Sequence, residues 1–195
     1  MTAHSTALNS DNRCSCTGMM QIQIFALVLS ITLMFSQPAW AGFLTVKMYA
    51  ISPDGVEKSI GRVAARDTDK GLQMFPELRG LSVGEHGFHL HEGNSCDAAL
   101  NSEGISVAGL AAGGHWDPDG TGKHLGPYEL GHRGDLSVLI VNSEGRTRTN
   151  VVAPRLSTDD LYGKTLIVHS GGDTYTDEPP LGGGGARIAC GVVES

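Results

Sequence analysis

Leu44-Thr45-Val46-Lys47-Met48-Tyr49-Ala50 places an apolar residue at every second position, with Thr45, Lys47 and Tyr49 between them. A two-residue period sends successive side chains to opposite faces of a pleated strand, so this stretch reads as a strand with one buried face. Ser52-Pro53-Asp54-Gly55 follows and predicts a turn, because proline presets φ and glycine accepts a positive one. The same grammar recurs at 59–66, 71–78, 86–92, 135–142, 146–153, 164–169 and 186–193, with turn-rich segments such as Asn142-Ser143-Glu144-Gly145 between. About eight short strands and no long amphipathic helix predict an antiparallel sandwich or closed barrel. Two stretches break the rhythm, 93–131 and 170–185, both rich in glycine and polar residues. Connections of that length in a compact domain are usually functional loops. The segment 157–161 admits one helical turn, capped by Ser157 or Thr158.

The composition agrees with this architecture. In 195 residues there are 27 glycines and only 6% aromatics, which suits many tight turns around a core of Val, Leu, Ile and Ala. The length fits one well-buried domain, and no internal repeat or linker divides it. A formal net charge of -7, from 14 Lys and Arg against 21 Asp and Glu, argues against a nucleic-acid partner, which requires a basic surface.

The amino terminus reads differently from the rest. Ile22 to Phe35 is mostly apolar and is followed by Ser36-Gln37-Pro38-Ala39-Trp40-Ala41, the layout of a secretory leader ending in a small-x-small cleavage site before Gly42. The run is shorter than the ~20 residues that span a bilayer. The chain therefore divides into a signal peptide at 1–41 and a domain at 42–195, with no membrane attachment after cleavage. Only Arg13 precedes the apolar run, and Met19 or Met20 is an alternative start that makes residues 1–18 an extension. Cleavage removes Arg13 and Asp11, one of each sign, so the charge stays at -7. It also removes Cys14 and Cys16 and leaves Cys96 and Cys190. In an exported chain an isolated pair without CxxC spacing reads as one structural disulfide, with two unpaired buried thiols as the alternative.

Seven of the eight histidines lie beyond the leader. Within Gly87-Phe88-His89-Leu90-His91-Glu92, His89 and His91 share one face of the predicted strand, while Phe88 and Leu90 point to the core. Two such imidazoles can bite one metal, although a lone His-x-His also fits a solvated strand face. Downstream stand His115 in GGHWDP, His124 in TGKH, and His132 with Asp135 in GHRGD. Three imidazoles and a carboxylate match the ligand set of a closed tetrahedral zinc site. His169 ends a predicted strand just before the second loop.

Taken together, GFHLHEGNSC, AAGGHWDPDGTGKHLGPY, GHRGDL, VHSGGD and PLGGGGARIACGVV resemble, in order and over nearly all of 42–195, a bacterial exported copper/zinc superoxide dismutase. The resemblance implies an all-β fold, a Greek-key antiparallel β-sandwich or barrel with two long functional loops. It implies one copper, held by His89, His91, His115 and His169, and one zinc, held by His115, His124, His132 and Asp135. His115 is then the residue shared by both metals. Asp173 matches the aspartate that hydrogen-bonds a copper histidine and a zinc histidine, and Arg187 matches the arginine above the copper. Cys96 and Cys190 match a disulfide tying the long loop to the last strand. The implied reaction converts superoxide anion to dioxygen and hydrogen peroxide by Cu(II)/Cu(I) cycling, with zinc orienting the shared histidine and with His115 and Arg187 as the catalytic residues. The implied location is the periplasm, where the enzyme protects against superoxide as a monomer or a homodimer.

A metal carrier on the same scaffold is the competing reading, and such a carrier has no need of Arg187 or a bridging histidine. Lys123 and Arg133 are candidates for steering the anion, or else solvated surface charges. The glycines 182–185 are not a phosphate loop, since no GKS or GKT follows, and they let the backbone pass close to the metal channel. Trp116 reads as loop packing, and His86 as a strand-surface residue outside the ligand set.

Overall fold

The computed structural model describes residues 42–194. The leader read at 1–41, with Cys14 and Cys16, lies outside the described residues. Eleven short strands follow one another: β1 (Phe43–Ser52), β2 (Gly55–Thr68), β3 (Gly71–Leu78), β4 (Gly84–His86), β5 (Phe88–His91), β6 (Ala99–Leu100), β7 (Ser106–Val107), β8 (Leu139–Val141), β9 (Val151–Ala153), β10 (Thr165–His169) and β11 (Arg187–Val192). Single 3₁₀ turns stand at Leu110–Ala112, Asp159–Leu161 and Pro180–Gly183. Seven strands form one antiparallel sheet in the order β5-β10-β11-β1-β2-β3-β9, and β4 pairs with β8. Isolated antiparallel bridges at Arg79–Arg146, Val141–Thr147 and His89–Asp135 carry the pairing onward and join the two edges of the curled sheet. The eight segments expected from the sequence thus encircle a barrel, with 146–153 lying beside β3 and out of chain order, which is the Greek-key crossing.

The two-residue period of the opening stretch holds through Met48, with Val46 and Met48 buried and Thr45 and Lys47 exposed. Beyond it the register shifts at Met48/Tyr49 and again before Ile51. The bulge turns Ile51 inward in place of Ala50 and adds it to a second cluster with Cys96, Ala108, Ala112, Ile167 and Cys190. That small core anchors the long loop. The main core packs Val63, Leu72, Met74, Phe88, Leu90 and Leu166 inside the barrel.

Three expectations need correction. The strand foreseen at 86–92 breaks at Gly87, whose N–H donates to the Gly171 carbonyl at 2.7 Å and whose carbonyl accepts from the His169 N–H at 2.8 Å. Gly87 is thus engaged by the second loop. Segment 146–153 is regular only from Val151, because Thr147 and Thr149 hydroxyls accept from Leu78 N–H (3.0 Å) and Ile140 N–H (2.8 Å) where a ladder carbonyl would otherwise serve. The turn at Asp159–Leu161 is capped by neither Ser157 nor Thr158. Instead the Asp160 carboxylate accepts from the Ser157 N–H and hydroxyl, both at 2.8 Å, while the Thr158 hydroxyl donates to Asp67 at 2.7 Å.

Candidate metal centre

Both β5 histidines are fully buried, because the long loop lies over their face. Trp116 N–H donates to the Leu90 carbonyl at 2.8 Å, and a bridge pairs His91 with His115, so the loop runs beside β5 like a further strand. The loop is tied down by the Cys96–Cys190 disulfide, which spans 94 residues and ends on β11. Across β5, the neighbouring strand β10 delivers His169 at its last position. The imidazole of His89 then lies 4.0 Å from that of His115 and 4.8 Å from that of His169, centre to centre.

Each of these four rings has one nitrogen held and one left over. His89 Nε2 meets Asp173 Oδ2 at 2.7 Å, His91 Nδ1 meets the Gly113 carbonyl at 3.0 Å, His169 Nδ1 meets the Gly185 carbonyl at 3.2 Å, and His115 Nδ1 meets Asp135 Oδ1 at 2.9 Å. Donation outward by the held nitrogens leaves lone pairs on His89 Nδ1, His91 Nε2, His115 Nε2 and His169 Nε2, all buried and without a hydrogen-bond partner. Side-chain atoms able to ligate, one from each of the four, lie within 4.8 Å of one another. Buried, unpaired and convergent lone pairs are costly unless a cation meets them. An all-imidazole set of this kind suits copper.

A second group forms on the other side of His115. Asp135 Oδ1 lies 2.9 Å from His115 Nδ1, 2.9 Å from His124 Nδ1 and 3.3 Å from His132 Nδ1. Its other oxygen accepts from the Leu125 and Gly126 N–H groups at 3.1 and 3.3 Å, so the carboxylate orients the loop and faces the imidazoles at once. Three imidazole nitrogens around one carboxylate oxygen is the donor set of a tetrahedral zinc site. Asp173 links the groups: Oδ1 takes His124 Nε2 at 2.7 Å and Oδ2 takes His89 Nε2 at 2.7 Å. At Gly182, where φ is +69°, a Cβ would collide with Asp173 Oδ1, so glycine there is required by close approach.

The electrostatics follow the same division. Burial drives the His89 imidazole down to about 3 and that of His169 to about 4, and it also lowers His91 and His115. At neutral pH these rings are unprotonated, the form in which imidazole ligates metal. Burial opposes the charging of His124 as well, yet the nearby carboxylates of Asp135 and Asp173 outweigh it and raise that ring to about 9. Asp135 and Asp173 resist burial in turn, held well below the carboxylate range by their histidine partners.

Arg187 stands beside His169 in the β10–β11 register. Its Nη1 donates to the Gly109 carbonyl at 2.5 Å and its Nη2 to the Gly113 carbonyl at 2.7 Å. The Gly113 carbonyl is the one that also takes His91 Nδ1, so the guanidinium and an imidazole of the first group share one anchor. Of the two steering candidates, Arg133 is paired with Asp119 at 2.7 and 2.9 Å, which neutralises it, and Lys123 is exposed. Trp116 packs against the core and carries the Lys164 ammonium 4.5 Å over its ring.

Two residues escaped the sequence reading. His86 is not at the surface but 1% exposed, with Nδ1 on the His169 carbonyl at 2.6 Å and Nε2 near the Ser82 carbonyl at 2.9 Å. Arg155 donates to the carbonyls of Gly131 (2.8 Å) and His132 (2.7 Å), with longer contacts to those of Gly126 and Pro127. It clamps the segment that presents His132. No motif in the sequence singles it out, because its partners lie more than twenty residues away along the chain.

A Greek-key barrel carrying two histidine groups joined through one shared imidazole defines a dinuclear metalloenzyme of the copper/zinc type. The match to "Copper/zinc superoxide dismutase (SODC)" extends over residues 59–193, and the chain belongs to that family. It is 47% identical over 172 residues to a Cu-Zn superoxide dismutase of Escherichia coli (strain K12), covering 87% of this chain and 98% of the relative. The Cu/Zn superoxide dismutase from Brucella abortus superposes with a TM-score of 0.76 at 46% identity, over 78% of this chain and 100% of that one. The monomeric copper, zinc superoxide dismutase from Salmonella enterica gives 0.70 at 48% identity, over 78% and 100%. Membership makes the chain an oxidoreductase acting on superoxide, with one copper and one zinc per subunit.

Proposed function

We propose that His89, His91, His115 and His169 hold the copper, that His115, His124, His132 and Asp135 hold the zinc, and that the paired sites disproportionate superoxide outside the cytoplasm. The observation that carries this reading is the set of four buried imidazole nitrogens that converge without partners, one of them on a ring whose other nitrogen faces Asp135. When bound, copper supplies one-electron exchange between Cu(II) and Cu(I), while zinc supplies a fixed charge without redox change.

The chain's own residues account for the rest. Two superoxide anions and two protons give one dioxygen and one hydrogen peroxide, so the site must attract a small anion twice and deliver protons. Superoxide offers little to grip except its charge, and the Arg187 guanidinium, fixed by two carbonyls, is the recognition device. His115 Nε2 is suited to take up a proton and return it, because its Nδ1 stays beside Asp135 and the ring keeps its place. Asp173 steadies both halves by holding His89 and His124. A carrier has no use for an anchored Arg187, which favours the enzyme reading over delivery or storage.

Export rests on the apolar run from Ile22 to Phe35 and the Ala39-Trp40-Ala41 site, with the periplasm as destination. All the proposed ligands come from one chain, so a monomer, the state named for the Salmonella enterica relative, suffices. The test is metal analysis with a superoxide-consumption assay. His115→Ala should lower both metals, whereas Arg187→Ala should slow consumption and keep them. Tight binding of both metals without activity in the parent chain overturns the proposal.

A further inference from the structure

A groove of about 990 Å³, sharing no residue with the metal centre, crosses β1, β2 and β3 and ends at Arg146. Lys47, Lys58, Arg62, Arg79 and Arg146 line it against the single carboxylate of Glu77. Five of the chain's 14 basic residues thus gather in one place on a molecule of net charge -7. Their arrangement works against the fold. Lys47 and Arg62 are direct cross-strand partners, and so are Arg79 and Arg146. Like charges directly opposite one another destabilise a sheet. Relief is partial: Arg62 pairs with Glu77 at 2.9 Å and Arg146 with Glu144 at 3.6 Å, but Lys47, Lys58 and Arg79 form no ion pair among the described residues.

We propose that this groove binds clustered phosphate groups, carried either by a soluble oligophosphate or by the headgroups of an anionic membrane surface. Guanidinium forks match phosphate oxygens two by two, and lysines add point charges around them. Two facing pairs of cations need an anion of several charges, and a groove of this size admits more than one phosphate. Local rules are commonly broken at functional sites, and a doubled like-charge pairing is such a break.

The test uses the exported protein, residues 42–195, loaded with copper and zinc. Inorganic tripolyphosphate is titrated calorimetrically at low and moderate salt, and sedimentation is measured with vesicles of phosphatidylglycerol and phosphatidylcholine. Saturable tripolyphosphate binding that weakens with salt, and a drop of at least about tenfold in Arg79→Gln/Arg146→Gln with superoxide consumption unchanged, is the expected result. Vesicle association that tripolyphosphate displaces assigns the phosphates to a membrane, whereas tripolyphosphate binding without vesicle association assigns them to a soluble ligand. Lys47→Gln/Lys58→Gln serves as an independent second variant, with retained activity as its check on folding. Absence of binding to both probes, or binding by both variants equal to that of the parent chain, overturns the proposal.

Discussion

At the scale of the residue, the site rests on which nitrogen of each histidine is held. Asp173 fixes His89 and His124 together, so Asp173→Asn should lower affinity for both metals by about 10- to 100-fold, read as metal retained against a graded chelator. Equal retention by variant and parent would show that Asp173 does not orient the ligands. Arg187→Ala should slow superoxide consumption by about tenfold or more and flatten its salt dependence, with metal content unchanged. If its rate matched the parent's across ionic strengths, anion guidance by Arg187 would be wrong. His89 and His91 stood out because imidazoles two apart on a strand share a face, whereas the division of the other candidate ligands between two metals rested on the family resemblance. His86 was not, since its partners are backbone carbonyls of His169 and Ser82 that only the fold brings to it.

Elements supply the rigidity that the residues need. The long loop is held by the disulfide and by the small core around Ile51 and Ala112, so it offers Gly109 and Gly113 to Arg187 from a fixed position. Cys190→Ser should destabilise the domain by roughly 2–5 kcal/mol. It should also reduce activity in the protein that remains folded, because the anchors of Arg187 lie on the freed loop; denaturant midpoint and specific activity check the two effects. Arg155→Gln should loosen the segment from Gly126 to His132 and lower zinc affinity about tenfold while copper falls less. An equal loss of the two metals would point to general destabilisation in place of a local clamp. Strand positions were legible from the period of two, as Val46 and Met48 show. The bulge that turns Ile51 inward and the break at Gly87 were not, since each answers to a neighbouring segment brought in by topology.

For the whole molecule, the buried histidines set a pH profile for the metal-free chain. His89, at about 3, and His169, at about 4, lie below the unfolded imidazole value near 6.5, as do His91 and His115. Their contribution is full above about 6.5 and is lost as pH falls, by about 1.4 kcal/mol per pH unit for each ring that protonates only on unfolding. His124, raised to about 9, contributes fully below about 6.5 and loses that contribution as pH rises through about 9. Four rings against one make the acid limb steeper than the alkaline limb, with the maximum near pH 6.5; denaturant midpoints of chelated protein between pH 4 and 9 would show it. A flat acid limb would mean that the four rings are not buried in neutral form.

His115 is proposed to serve both metals. Anomalous diffraction from the metal-loaded protein, collected at the copper and zinc absorption edges, tests it most directly. A copper peak is expected within bonding distance of His115 Nε2 and of His89, His91 and His169, and a zinc peak beside His115 Nδ1, His124, His132 and Asp135. A single peak, or two peaks of which one does not touch His115, would contradict it.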